Sequence, residues 1–136
     1  MADARIQVPP NCELTLGMTC VDKAEPGRTV WRMRADERFA NPAGIVQGGF
    51  VGAMADSAMG SAAVTFARAA GHKVFASNVE MKTSFLAEAR VGSVLDCTAV
   101  IVSGGNRVAF AEAEVVDDGG RMVARASSTY LFTARD

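Results

Sequence analysis

QGGFVGAMADSAMGSAAVTFARAA, residues 47–70, is the stretch from which the rest of the chain is best read. Ala and Met dominate it, β-branched residues are few, and Gly71 follows as a stop, so it predicts one long helix. The stretch is apolar almost all round, and a helix of that kind is buried on most of its sides. The remainder of the chain must wrap it.

On the C-terminal side the character changes. Residues 74–87, 93–103, 107–117 and 122–133 are rich in Val, Phe and Thr in alternating pairs and read as strands. Residues 90–92, Gly104-Gly105-Asn106 and Asp118-Gly119-Gly120 carry turn chemistry between them. On the N-terminal side, residues 12–22 and 29–37 also alternate, with Glu25-Pro26-Gly27 as the turn. Trp31 and Met33 face one way there, and Arg32 and Arg34 the other. Residues 39–46, with Pro42 and Gly44, form a loop into the helix. The order is ββαββββ. Sequential strands joined by short Gly-rich turns predict an antiparallel meander, which needs cover on its apolar face. An α+β domain, with a curved sheet of about six strands wrapped around one central helix, satisfies both demands. That description fits the hot-dog fold.

With 136 residues, the chain has room for a single domain over residues 1–136, residues 1–10 being expected as a loosely packed N-terminal segment. Hydrophobic content of 49% and a formal net charge of −1 describe an ordinary globular protein. No Lys/Arg run is present, which excludes the electrostatic footprint of a nucleic-acid binder. Residues 48–70 are long enough to suggest a membrane span, but Asp56 sits near their middle. A carboxylate at mid-bilayer costs about 2.5–3.5 kcal/mol, and Ala, Gly and Ser offer little to offset it. A cytoplasmic protein without a membrane partner is the expectation. Cys12, Cys20 and Cys97 form no CxxC pair and read as reduced, mainly packing thiols.

Two features of residues 41–60, NPAGIVQGGFVGAMADSAMG, ask for chemistry. Gly48-Gly49 opens the helix although Gly is a poor helix former. The first N–H groups of a helix lack intrahelical partners, carry partial positive charge and, beside glycine, admit another atom closely. Such an end can donate to a carbonyl oxygen becoming an oxyanion, or it is simply a tightly packed helix start. Asp56 is the only ionisable side chain between Gln47 and Arg68. Burying a carboxylate on an apolar helix costs stability unless hydrogen bonds compensate, so Asp56 is either functional or a satisfied core acid. Gly48 and Asp56 are eight positions apart, and therefore about 12 Å apart along the helix axis. A donor must lie about 3 Å from the oxyanion, so one helix cannot bring both groups to one carbonyl. If both act, they come from two subunits of a two-fold dimer with antiparallel helices.

Asn41-Pro42-x-Gly44-x-x-Gln47-Gly48-Gly49 followed by Met54-x-Asp56-x-Ala58-x-Gly60 resembles the hot-dog thioesterases of the phenylacetate-degradation (PaaI) type. Their pattern is N-P-x-G-x-x-H-G-G followed by L-x-D-x-A. Asn78-Val79-Glu80-Met81, Phe85-Leu86, Gly92, the Gly-Gly-Asn-Arg turn and residues 126–132 match in rhythm, so the resemblance spans about residues 11–132. It implies an acyl-CoA thioesterase in which Asp56 is nucleophile or general base and Gly48 the backbone donor. Asn41 would orient the substrate carbonyl or the lytic water. Asn78 falls where many relatives carry Ser or Thr to hold the water or the acid. It also implies no metal or cofactor, coenzyme A being part of the substrate, and a homotetramer built from homodimers. Gln47 replaces the family histidine; it can still hydrogen-bond but cannot titrate near neutrality.

Coenzyme A carries phosphates, for which Arg90 and Arg107, both beside turns, are the candidate cations. Gly49, Phe50 and Met81 are candidate lining residues of the acyl chamber, although Met and Phe at such positions also serve as plain core. The substrate expectation is a small aromatic or short- to medium-chain acyl-CoA. The alternative is an acyl-CoA-binding protein of the same fold without turnover. A hydratase would use a His beside an acid, and His72, the only one, follows the helix instead of preceding Gly48.

Overall fold

The computed structural model describes residues 11–135, and the expectation for residues 1–10 lies outside the described residues. The elements are α1 (Asn11–Leu16), β1 (Met18–Asp22), β2 (Arg28–Arg34), a 3-10 turn (Glu37–Phe39), α2 (Gly48–Ala69), β3 (Val74–Phe85), β4 (Val94–Gly104), β5 (Val108–Val116) and β6 (Met122–Ala134). The six strands form one antiparallel sheet in the order β1-β2-β4-β5-β6-β3, curved around α2. This is the hot-dog architecture.

The central helix runs as its composition predicts. Gln47 is the N-cap, and Gly71, at φ +87°, takes the left-handed conformation that ends the helix. Ala55, Ala58, Ala62 and Ala63 are fully buried, as are Met54 and Met59. Facing them on the sheet are Met33, Leu95, Cys97, Ala99, Ala111 and Ala113. Small residues on both sides let the helix axis approach the sheet closely, leaving little room for a larger side chain. Thr29, also fully buried, donates to the Ala58 carbonyl at 2.8 Å and accepts from Ser61, so its hydroxyl is satisfied.

Two expectations are corrected. The first half of residues 12–22 is helical, not extended. Its even-numbered apolar residues mimic a strand, but Gly17, at φ +72°, lets the chain reverse after one and a half turns, and Gly17 N–H donates to the Leu14 carbonyl at 3.1 Å. Likewise, the last four strands are not a simple meander, because β3 pairs with β6 and β4 pairs with β2. The reason is connection length. Tight Gly-containing turns join β4 to β5 and β5 to β6, whereas residues 86–93 are long enough to cross the sheet past the start of α2. On the way they bond to the loop before the helix, with Val46 N–H donating to the Ala89 carbonyl and Ile45 bridging Arg90. The crossing leaves β3 at the edge of the sheet, with one side unpaired among the described residues.

Candidate active site

Asp56 sits mid-way along α2, on the side where the sheet closes through β6 and β3. The inner face of β6 presents Ala124, Ala126, Ser128 and Tyr130 in alternation, so the last two bring polar atoms to a buried surface. Opposite them, β3 contributes Asn78, paired with Tyr130, and Met81, paired with Ser128. Those two partners sit two residues apart on β6, whereas Asn78 and Met81 are three apart. The register shift between Asn78 and Glu80 absorbs the extra residue, Val79, as a bulge. Asn78 and Met81 therefore both point at the helix.

The result is a hydrogen-bonded cluster around one carboxylate oxygen. Tyr130 Oη lies 2.6 Å from Asp56 Oδ1 and 2.9 Å from the Asp56 backbone oxygen. Asn78 Nδ2 donates to the same Oδ1 at 2.9 Å and to Ser128 Oγ at 3.1 Å. These acceptors fix which way the Asn78 amide faces, and its Oδ1 is buried without a partner. Tyr130 is only 1% exposed, and its ring lies on Gly60, one turn beyond Asp56, where a Cβ would stand 3.6 Å from the ring edge. Burial first, and the Asp56 carboxylate second, hold the Tyr130 hydroxyl far above the ordinary tyrosine range, so it stays a protonated donor. A hydrogen bond to a charged group contributes about 1.5–3 kcal/mol, which is how a carboxylate is kept on this helix.

Asp56 opens on a cavity of about 470 Å³ that Trp31, Ser57, Gly60, Ser61, Asn78 and Tyr130 also line. Its walls include three cations, Lys23, Arg68 and Arg135, and the buried acid Glu13, whose carboxyl is raised by burial against the partial offset of Lys23.

Gly48 lies elsewhere. It begins α2, its neighbour Gln47 makes no side-chain cap, and the Phe85 ring is stacked so near that a Cβ on Gly48 would stand 2.9 Å from it. Glycine is what allows that approach. Gly48 opens on a second cavity, of about 550 Å³, with Ile45, Val46, Val51, Phe85, Leu86 and Val123 among its walls. Within one chain, therefore, the N–H at the helix start and the carboxylate face different hollows.

The other expected residues divide. Asn41 organises the loop: its Oδ1 accepts from Ala43 N–H at 2.9 Å and Ile45 N–H at 3.2 Å, leaving its Nδ2 unengaged by these bonds. Gln47, Gly49 and Phe50 line a groove against α1, and Phe50 stacks on Phe39 with centroids 4.4 Å apart. Met81 packs on the core. Arg90 is exposed near the Gly48 end and paired with Glu88 at 3.1 Å, while exposed Arg107 sits in the β4–β5 turn. Neither is among the residues lining the Asp56 cavity. Sequence reasoning missed Tyr130, Ser128 and the three cavity cations. The signal for the first two was present, since alternation along residues 122–133 puts a Ser and a Tyr on the face that otherwise carries Ala.

Comparison with known proteins places this arrangement. The family model of the thioesterase superfamily matches residues 43–124, a segment that holds Gly48, Asp56 and Asn78. The chain belongs to that superfamily. As a thioesterase it is similar to human acyl-coenzyme A thioesterase 13, with 24% identity over 120 residues, 88% of this chain and 83% of the relative. Its fold is shared with the E. coli PaaI protein from the phenylacetic acid degradation operon, at a TM-score of 0.83 and 20% identity, over 90% of this chain and 84% of that one. It is likewise shared with a hypothetical thioesterase protein with coenzyme A from Streptococcus pneumoniae TIGR4, at a TM-score of 0.77 and 17% identity, over 87% of both chains. Ser128 and Tyr130 lie on β6, beyond the segment that the family model matches.

Proposed function

We propose that this thioesterase hydrolyses an acyl-CoA at a site shared between two subunits, with Asp56 from one and the Gly48 N–H of the partner. The observation that carries the reading is the separation just described. A carboxylate held by two donors faces one cavity, and an uncapped helix start faces another, about 12 Å away along the same helix. A two-fold axis that sets two α2 helices antiparallel superimposes the two half-sites.

Two surfaces support such a pairing. β3, twelve residues long, offers an edge beside the Asp56 cavity that no strand of the described residues pairs, and a long edge of that kind is a template for another strand. The α2 face bearing Asp56 also carries Gly49, Gly52 and Ala53, small residues that admit a second helix closely. On the opposite, convex face of the sheet Phe110 and Leu131 are exposed and suit a second interface that would pair dimers into a tetramer.

In this reaction Asp56 pushes on the thioester carbon, directly or through water. The Gly48 N–H of the partner subunit stabilises the oxyanion, and the coenzyme A thiolate leaves. Lys23, Arg68 and Arg135 around the Asp56 cavity, with Arg90 and Arg107 at the surface, supply cations for the phosphates of coenzyme A. The reading includes no metal or added cofactor, a cytoplasmic setting for the three thiols, and a small aromatic or short- to medium-chain acyl group. Support for an acyl-CoA substrate comes from the human relative, named for that activity, and from the pneumococcal neighbour described with coenzyme A.

A panel of acetyl-, hexanoyl- and benzoyl-CoA with a thiol-detecting reagent tests it. At least one ester is expected to release thiol, with kcat at least about 100-fold lower in Asp56→Asn. Binding of these esters without thiol release would convert the assignment to a carrier or sensor, and undiminished turnover by Asp56→Asn would remove the carboxylate from the mechanism.

A further inference from the structure

We infer that Tyr130 is a positioning residue that gives the two oxygens of Asp56 separate tasks, with Oδ1 as the anchor and Oδ2 as the oxygen that acts on substrate. The inference deepens the proposed function and rests on the reading of Asp56 as the catalytic carboxylate.

Both side-chain donors converge on Oδ1, Tyr130 Oη at 2.6 Å and Asn78 Nδ2 at 2.9 Å. Among the described residues, no hydrogen bond reaches Oδ2. A carboxylate turns in a broad, roughly two-fold torsional well, so its two oxygens exchange places unless something distinguishes them. Here two donors arrive from two different strands, and turning the group would break both bonds together.

Each donor is itself held. The Tyr130 ring is sealed from solvent and rests on Gly60, so its hydroxyl has one position. Asn78 Nδ2 divides its protons between Asp56 Oδ1 and Ser128 Oγ. Burial keeps the Tyr130 hydroxyl protonated, so it stays a donor while the carboxylate works. A tyrosine with a purely architectural task would need only its bond to the Asp56 backbone oxygen. The shorter contact with the carboxylate goes beyond that need. With Oδ1 engaged, the push toward a thioester carbon, or toward the proton of an attacking water, falls to Oδ2.

The test is Tyr130→Phe in the full chain, assayed with hexanoyl-CoA and benzoyl-CoA beside Asp56→Asn. The ring and its packing on Gly60 are retained and only the donor is lost. The expected result is kcat lower by about 10- to 100-fold with KM within about twofold, because positioning matters in the transition state and not in ground-state binding. Asn78→Ala, which removes the other donor to Oδ1, is expected to show the same split and supplies the answer should Tyr130→Phe not fold. Unchanged kcat in both variants beside an inactive Asp56→Asn overturns the positioning role alone. An active Asp56→Asn overturns the underlying reading and this inference with it.

Discussion

Mixing two inactive variants tests the geometry of a shared site directly. The first variant is Asp56→Asn. The second must delete the donor at the helix start without disturbing the helix, and Gly48→Pro meets that need. Proline is favoured at the first helical position, where its missing N–H breaks no intrahelical bond. Gln47, at φ −62° and ψ 136°, already has the extended conformation that a following proline requires. The new ring meets Phe85, which at 55% exposure can swing toward solvent. Each variant alone should lose at least about 100-fold in kcat, the usual effect of removing one oxyanion donor or the acting carboxylate.

In a heterodimer, one site combines the two defects. The other combines the intact Asp56 of the Gly48→Pro subunit with the intact Gly48 of the Asp56→Asn subunit. Random exchange makes half the dimers mixed, each with one working site of two, so an equimolar mixture should recover about a quarter of wild-type activity. Thiol release measured before and after subunit exchange, with native mass spectrometry to count heterodimers, gives the answer. Heterodimers that form but stay at the baseline of the single variants would refute the shared-site geometry.

Two further outcomes follow from burial. Ala58→Leu pushes a larger side chain into the fully buried contact between α2 and the sheet and should destabilise the protein by about 1–3 kcal/mol, read from denaturant unfolding. Cys97 is buried, and loss of hydration pushes its thiol up to about 12, so almost none of it is thiolate at pH 8. A thiol reagent should therefore label Cys12 and Cys20 in the native protein and reach Cys97 only after unfolding. Rapid native labelling of all three would show that the core opens readily.

What could be read from residues alone is what is determined locally. The long helix, its stop at Gly71, the two Gly-rich hairpins and the inward face of β2 each depend on a few neighbouring residues, and each is present. The edge position of β3 depends on which strand it meets after a crossing of eight residues, and no short-range pattern encodes that. The helical start at Asn11–Leu16 was disguised because six residues are too few to separate a period of two from one of 3.6. Asp56 was legible because a charge on an apolar helix is conspicuous. Tyr130 was not, since a tyrosine in a strand is ordinary until its partner across 74 residues is known.

The extra residue at Val79 has a consequence for reading relatives. Along β3 the inward positions are even-numbered up to 78 and odd-numbered from 81 onward. A relative whose strand lacks that insertion, laid beside this one without a gap, would have every residue on one side of position 79 assigned to the wrong surface of its sheet. Inventories of pocket composition drawn from such an alignment would then compare solvent-facing side chains with those that face the helix.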